Sequence, residues 1–275
     1  MLRKWRLIKH DVLQKVGFAT AKWRVLPNFI IIGAQKAGTT SLLYYLNQHP
    51  QVERGIRKEI HFFDFNYQKG ENWYRAHFPF RLFLDEDKVV GEATPHYLFY
   101  PYTAKRIAEM IPDVKLIVLL RNPVKRAISH YFHSVGKGRE PLSMYKAMIN
   151  ENDRTRMERK KIFSDEQYRS DPYRYFSYKE RGIYINQLKR YFLHFPMRQI
   201  LFIKSEEFFT QTEKVLEGVF TYLNIQPNVD ISYLKPVNVG ENKEKPPQGV
   251  IKYLEGFFDP YNQRLYERLG KDFNW

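Results

Sequence analysis

Three groups of residues in this chain have the chemistry to hold an anion and move a proton beside it. The first is Gly33-Ala-Gln-Lys-Ala-Gly38 with Thr39, Thr40 and Ser41 behind it: two glycines bracket a lysine, and hydroxyls stand at the loop's end. Such a loop bares backbone amides where a helix opens, and those amides attract phosphate-like groups. Lys36 adds a mobile positive charge. In the second group Glu59 can take a proton and His61 can orient it or share that proton. Their alternation with Ile60 and Phe62 predicts an extended segment that projects both polar side chains to one side. Read alone, Glu59 would pair with Lys58 or Arg57 on the surface. The third group is Arg121, at the end of an apolar run, and Ser129, about two turns into the helix that Pro123 opens. A planar guanidinium suits bidentate phosphate binding, and Ser129 adds a hydroxyl to the same anion.

To act together, these groups must reach one edge of a common scaffold. Short apolar runs at 29–32, 89–92, 115–120 and 199–204, separated by helical patterns, predict βαβ units. The fold expected is a single α/β domain over residues 28–275, with a central parallel sheet flanked by helices in a P-loop-like arrangement. Arg121 then lies where a strand's carboxyl end opens into the crevice that binds ligands in such sheets. Residues 1–27 form a basic leader with seven Lys or Arg against one acid, and Trp5, Leu7, Ile8, Val12, Val16 and Trp23 among them. It is a docked helix, a solvated arm or an interfacial helix on an anionic membrane. Between 136 and 181 the composition turns charged and tyrosine-rich, which reads as an excursion from the core.

The 275 residues can bury one sizeable core. The lack of cysteine excludes disulfides, thiolate catalysis and cysteine-based metal sites, and no metal is expected. A formal charge of +15 suits an anionic cosubstrate, a polyanionic acceptor or an anionic membrane surface. The basic residues form no nucleic-acid module, so no nucleic acid is expected as partner. No apolar run is long enough to span a bilayer, which points to a cytoplasmic protein, held at most peripherally at a membrane.

The spacing from Gly33 to Gly38 is that of a Walker A loop, yet Thr39 and Thr40 stand where that motif requires Lys and then Ser or Thr. A lysine inside the loop, with hydroxyls at its end, suits a 5′-phosphosulfate better than a magnesium-bound triphosphate. A nucleotide kinase is the first alternative and needs the missing lysine. A non-catalytic polyanion-binding module is the second, and it would tolerate loss of Glu59 or Lys36.

With the three groups in this order, the sequence resembles sulfotransferases that use 3′-phosphoadenosine 5′-phosphosulfate (PAPS), in particular the heparan sulfate 3-O-sulfotransferases, the N-sulfotransferase domains and their bacterial relatives. The resemblance spans about 28–275. It is carried by the Gly33 loop, Glu59-Ile-His-Phe-Phe63, Gly91-Glu-Ala-Thr-Pro-His-Tyr97, Leu120-Arg-Asn-Pro123 with Ser129, Arg181-Gly-Ile-Tyr184 and Phe273-Asn-Trp275. It implies Lys36 on the 5′-phosphosulfate and its leaving oxygen, with Ala37, Gly38, Thr39, Thr40 and Ser41 lining the phosphate. It further implies Arg121 and Ser129 on the 3′-phosphate, Tyr184 near the nucleotide, and Lys243 or Lys245 closing over it. Glu59 would be general base and His61 its assistant, in an in-line transfer to a hydroxyl or amine of a glycan or small-molecule acceptor. Two positions depart from the family: Thr40 replaces an arginine of the 3-O-sulfotransferases, and Ala93 replaces an acceptor-side lysine of the heparan sulfate enzymes. The late cysteine pair of those enzymes is also absent, and Glu241-Asn-Lys-Glu-Lys-Pro246 stands in its place as a shorter loop.

Overall fold

Phe29-Ile-Ile-Ile32 offers no polar residue to turn toward water, so the strand it forms must be covered on both faces. The computed structural model describes residues 17–227 and 245–275. In it β1 (Phe29–Gly33), buried throughout, is the middle strand of a five-stranded sheet. The others are β2 (Val52–Arg54), β3 (Val89–Ala93), β4 (Lys115–Leu120) and β5 (Ile200–Lys204), all parallel, in the order β2-β3-β1-β4-β5. Phe29 lies opposite Gly91 on one side and Lys115 on the other. The chain runs from β1 out to the β2 edge, returns through β3, then crosses β1 to reach β4. The carboxyl ends of β1 and β4 therefore adjoin at the point where the winding reverses, which is where open α/β sheets leave a crevice.

The apolar runs at 29–32, 89–92 and 115–120 are strands as expected, and 199–204 is one apart from Gln199, which ends a short 3-10 turn. β2 had no sequence signal. Of Val52-Glu-Arg only the valine is buried, and an edge strand with one open face needs no apolar run.

Eleven α-helices lie wholly within the described residues: α1 (Thr39–Leu46), α2 (Gly70–Arg75), α3 (Thr103–Met110), α4 (Pro123–Gly136), α5 (Met144–Ile149), α6 (Glu151–Ser164), α7 (Asp171–Phe176), α8 (Tyr184–Phe192), α9 (Ser205–Thr210), α10 (Thr212–Leu223) and α11 (Gln248–Leu269). No helix among the described residues is long and apolar enough to cross a membrane. The segment 136–181 is not an excursion. It folds as α5, α6 and α7, and Met144, Ala147, Met148 and Tyr178 enter the main core. Its charge sits on the outer face of α6, while buried Glu151 accepts backbone N–H bonds from Lys179 and Glu180.

The described part of the leader, 17–27, packs on the body. Arg24 is 6% exposed, bridges Phe80 and donates Nη1 to the Phe78 carbonyl at 2.6 Å. Residues 1–16 lie outside the described residues.

Candidate active site

β1 delivers the loop. Its end packs so closely that a Cβ on Gly33 would lie 2.6 Å from Leu98 Cβ, and Gly38 turns the chain at φ +100, a conformation side chains disfavour. Ala34 N–H donates to Leu119 O at 2.7 Å, and Ser205 Oγ donates to Ala37 O at 2.8 Å, so β4 and α9 clamp the loop from both sides. Buried Ala37 closes the inner wall, and Thr39, Thr40 and Ser41 form the first turn of α1, where amides lack intrahelical acceptors. Lys36 has φ +70. Burial, then the charges of Arg121 and Arg126, lower its pKa from the ordinary lysine value.

Arg121 follows β4, as expected, and donates Nη1 to Lys36 O at 2.9 Å. Tyr184, buried at the start of α8, donates its hydroxyl to Arg121 O at 2.8 Å, so its link to the cradle runs through the arginine's backbone. Asn122 caps α4 by accepting from Lys125 N–H at 3.0 Å and ties the turn to α9 by donating its own N–H to Glu206 at 3.0 Å. Ser129 is half-buried on α4. One turn before it lies Arg126, fully buried, with Nη2 on the Tyr178 carbonyl. Its Nε and Nη1, and Nδ1 of His130 a turn further on, have no hydrogen-bond partner among the described residues. The sequence reading passed over Arg126. Its only signal was a second arginine on the helix that Arg121 introduces, and such orphaned N–H groups suit an anion bound beside them.

Glu59 and His61 do meet, with carboxylate and imidazole Nε2 3.7 Å apart, but not on an extended segment. Glu59 (φ 52) and His61 (φ 54) are both left-handed, and Phe62–Asn66 coils into a π-helical turn. The turn hangs on β3 and the residues after it. Phe62 N–H donates to Tyr97 Oη at 2.9 Å and His61 N–H to Thr94 Oγ1 at 3.5 Å. Both hydroxyls donate in turn to buried Glu92, which also accepts from Tyr74. Burial pushes Glu92 up to about 7 against the pull of those donors.

The expected surface pair of Glu59 with Lys58 or Arg57 does not form. Lys58 instead donates Nζ to Thr40 Oγ1 at 2.7 Å, bringing a cation to the position where the 3-O-sulfotransferases carry an arginine and tying the Glu59 turn to the first turn of α1. His133 on α4 feels both Lys36 and Glu59. His61 Nδ1 lies 2.7 Å from Asp64 Oδ2, and His96 Nδ1 reaches the same oxygen at 2.9 Å. Burial alone would lower the pKa of His61, but Asp64 and Glu59 outweigh it and hold the imidazolium up to about 9. The same imidazoles hold Asp64 well below the usual carboxylate range despite burial, and His61 keeps Glu59 below that range. His96 stood inside a quoted motif and Asp64 directly after another, both without a role, because only the fold brings them together.

Ala93, where the family's lysine is missing, is buried at the end of β3. Arg174, in the last turn of α7, places its guanidinium 4.9 Å from the Phe65 ring, and Phe65 stacks on His61. Lys243 lies outside the described residues; Lys245 is exposed ahead of α11 and makes no ion pair among the described residues.

Comparison with known proteins shows the family and the fold. A family model for the sulfotransferase domain matches residues 26–275. The chain is 30% identical to the membrane-associated sulfotransferase kil1 of Dictyostelium discoideum, over 91% of its own length and 66% of that protein's. It is also 30% identical to the mouse heparan sulfate glucosamine 3-O-sulfotransferase 3B1, over 94% of itself and 67% of the relative. The chain thus spans about two thirds of the length of these relatives. A sulfotransferase crystal structure from Alicyclobacillus acidocaldarius superposes with a TM-score of 0.72 at 32% identity, covering 90% of this chain and 97% of that one.

Proposed function

The chain belongs to the sulfotransferase family, and from that premise we propose that it moves the sulfuryl group of PAPS to a hydroxyl or amine of a carbohydrate-containing acceptor, with Glu59 as general base. The observation that carries this reading is the Lys58–Thr40 hydrogen bond, which sets the proton acceptor Glu59 beside the anion cradle. PAPS supplies an activated sulfuryl group on a phosphate leaving group. The chain's residues supply position and charge. Amides and hydroxyls of Gly38, Thr39, Thr40 and Ser41 receive the 5′ end, Lys36 neutralises charge on the departing phosphate, and Arg121 with Ser129 holds the 3′-phosphate, with Arg126 charged behind them. Ionised across the neutral range, Glu59 takes the acceptor's proton while His61 orients it.

The acceptor side is cationic. Arg57, Lys58, Lys69, Arg169 and Arg174 make no ion pair among the described residues, and Arg174 reaches Glu59 and His61 electrostatically while Arg57 and Arg169 reach Lys69. That arrangement favours a glycan bearing acidic groups. The test is transfer from labelled PAPS to a uronic-acid polysaccharide and to a neutral glucan. Label should reach the first, and Glu59→Gln or Lys36→Ala should cut the rate about 10²-fold or more. Transfer that survives Glu59→Gln would remove Glu59 as base.

A second observation favours an enzyme held at an anionic membrane surface. Phe18, Trp23, Leu82 and Phe83 are 52%, 54%, 87% and 75% exposed around the Arg24–Phe80 bridge, beside Lys22 and Arg81. Sedimentation with phosphatidylglycerol vesicles but not phosphatidylcholine, lost in the double variant Leu82→Glu with Phe83→Glu, is the expected result; equal sedimentation of the variant contradicts this placement.

A further inference from the structure

His96 occupies a costly position for a side chain without a task. It is 7% exposed, its ring centroid lies 4.8 Å from that of Phe65 and 5.8 Å from that of Tyr100, and its Nδ1 approaches Asp64 Oδ2 at 2.9 Å. Burial, then the charge of Arg181, lowers its pKa to about 3, so the ring is neutral and carries one N–H. Because Asp64 is ionised and can only accept, that proton sits on Nδ1. Nε2 is then a buried lone pair, and it has no donor among the described residues. A buried acceptor without a donor carries its full desolvation penalty, so an apolar side chain would fill the place at less cost.

We propose that His96 is a positioning residue for sulfuryl transfer: by donating Nδ1–H to Asp64 Oδ2 it fixes the carboxylate on which His61 rests, and His61 in turn holds Glu59 toward the acceptor. The inference rests on Glu59 being the base. Asp64 is pinned by three donors, Phe65 N–H on Oδ1 at 2.7 Å and the two imidazoles on Oδ2. Removing His96 leaves Oδ2 with one mobile partner, at a turn whose left-handed residues already need outside restraint. The contact spans 32 positions of sequence, so it locks the Glu59 turn to the segment after β3. The charged groups around this chain of contacts are Arg181 beside His96, and Lys58 and Arg174 beside Glu59.

Two variants separate positioning from folding. His96→Asn keeps a donor near the Nδ1 position, and His96→Leu keeps bulk without it. The leucine variant should lose about 10-fold or more in kcat, with KM for PAPS and affinity for 3′-phosphoadenosine 5′-phosphate (PAP) within about twofold of wild type. Its acid limb should move to higher pH, because Glu59 loses the imidazolium that keeps its pKa low. The asparagine variant should recover most of both. By NMR the His61 imidazolium N–H should stay visible at pH 8 in wild type and asparagine variant and broaden in the leucine variant, whatever the acceptor. The proposal is overturned if the leucine variant keeps wild-type kcat, acid limb and His61 signal, or if asparagine fails as fully as leucine while both bind PAP normally. Absence of PAP binding in the wild type would instead contradict the sulfotransferase reading, and the NMR comparison would still decide whether His96 fixes His61.

Discussion

Lys36 and His61 are the residues whose charge states matter most, and their environments push them in opposite directions. Lys36 has a lowered pKa because it is buried beside Arg121 and Arg126. An anion bound against it favours the charged form and raises that pKa again. PAP binding should therefore take up protons at alkaline pH, seen as a buffer-dependent binding enthalpy that disappears in Lys36→Ala; a buffer-independent enthalpy would mean that Lys36 does not meet the anion. His61 stays charged up to about pH 9. Activity should fall above that pH as Glu59 loses its partner, and His61→Ala should lower kcat about 10- to 100-fold and raise the pH of the acid limb. The types of these residues were legible in the sequence, since a lysine between loop glycines and an arginine ending an apolar run are local signals. The roles of Asp64, His96 and Arg126 were not, because each depends on partners far away in the chain.

Among the elements, the strand-to-helix loop was read correctly from Gly33 to Ser41, and the Glu59 segment was not. Alternation of polar and apolar residues normally marks a strand, but here Thr94, Tyr97 and Asn66 supply hydrogen bonds that stabilise two left-handed residues and a π turn. Glu92 anchors that bracket, and its carboxyl is raised to about 7 in the fold. A raised acid contributes a penalty that is absent below the unfolded pKa near 4.5 and grows until pH passes the folded value. The stability of Glu92→Gln relative to wild type should accordingly rise with pH between about 4.5 and 7 and level off above, by on the order of 1–3 kcal/mol in thermal unfolding. A pH-independent difference would place Glu92 outside a desolvated site. At the loop, Gly38→Ala must adopt φ +100, which should cost about 1–2 kcal/mol and weaken PAP binding; unchanged melting and affinity would show that the loop does not need this turn.

At the scale of the whole molecule, winding order decides where the chemistry sits. Four of five strands were legible to within one residue because they are apolar runs, and β2 was missed as a polar edge. That was enough to place Arg121 and the Gly33 loop at one switch point. The excess of positive charge was legible too, but not its distribution over the outer face of 136–181, which required knowing that this segment packs as helices. With +15 formal charges, the KM for a polyanionic acceptor should rise several-fold between about 50 and 200 mM salt. The central claim is a cradle built for a nucleotide with phosphates at both 5′ and 3′ positions, and calorimetry with PAP and AMP in the absence of magnesium tests it most directly. Wild type should prefer PAP by about 100-fold, and Arg121→Ala should erase the preference. Equal affinity for the two nucleotides, or tighter binding of ATP once magnesium is added, would contradict it.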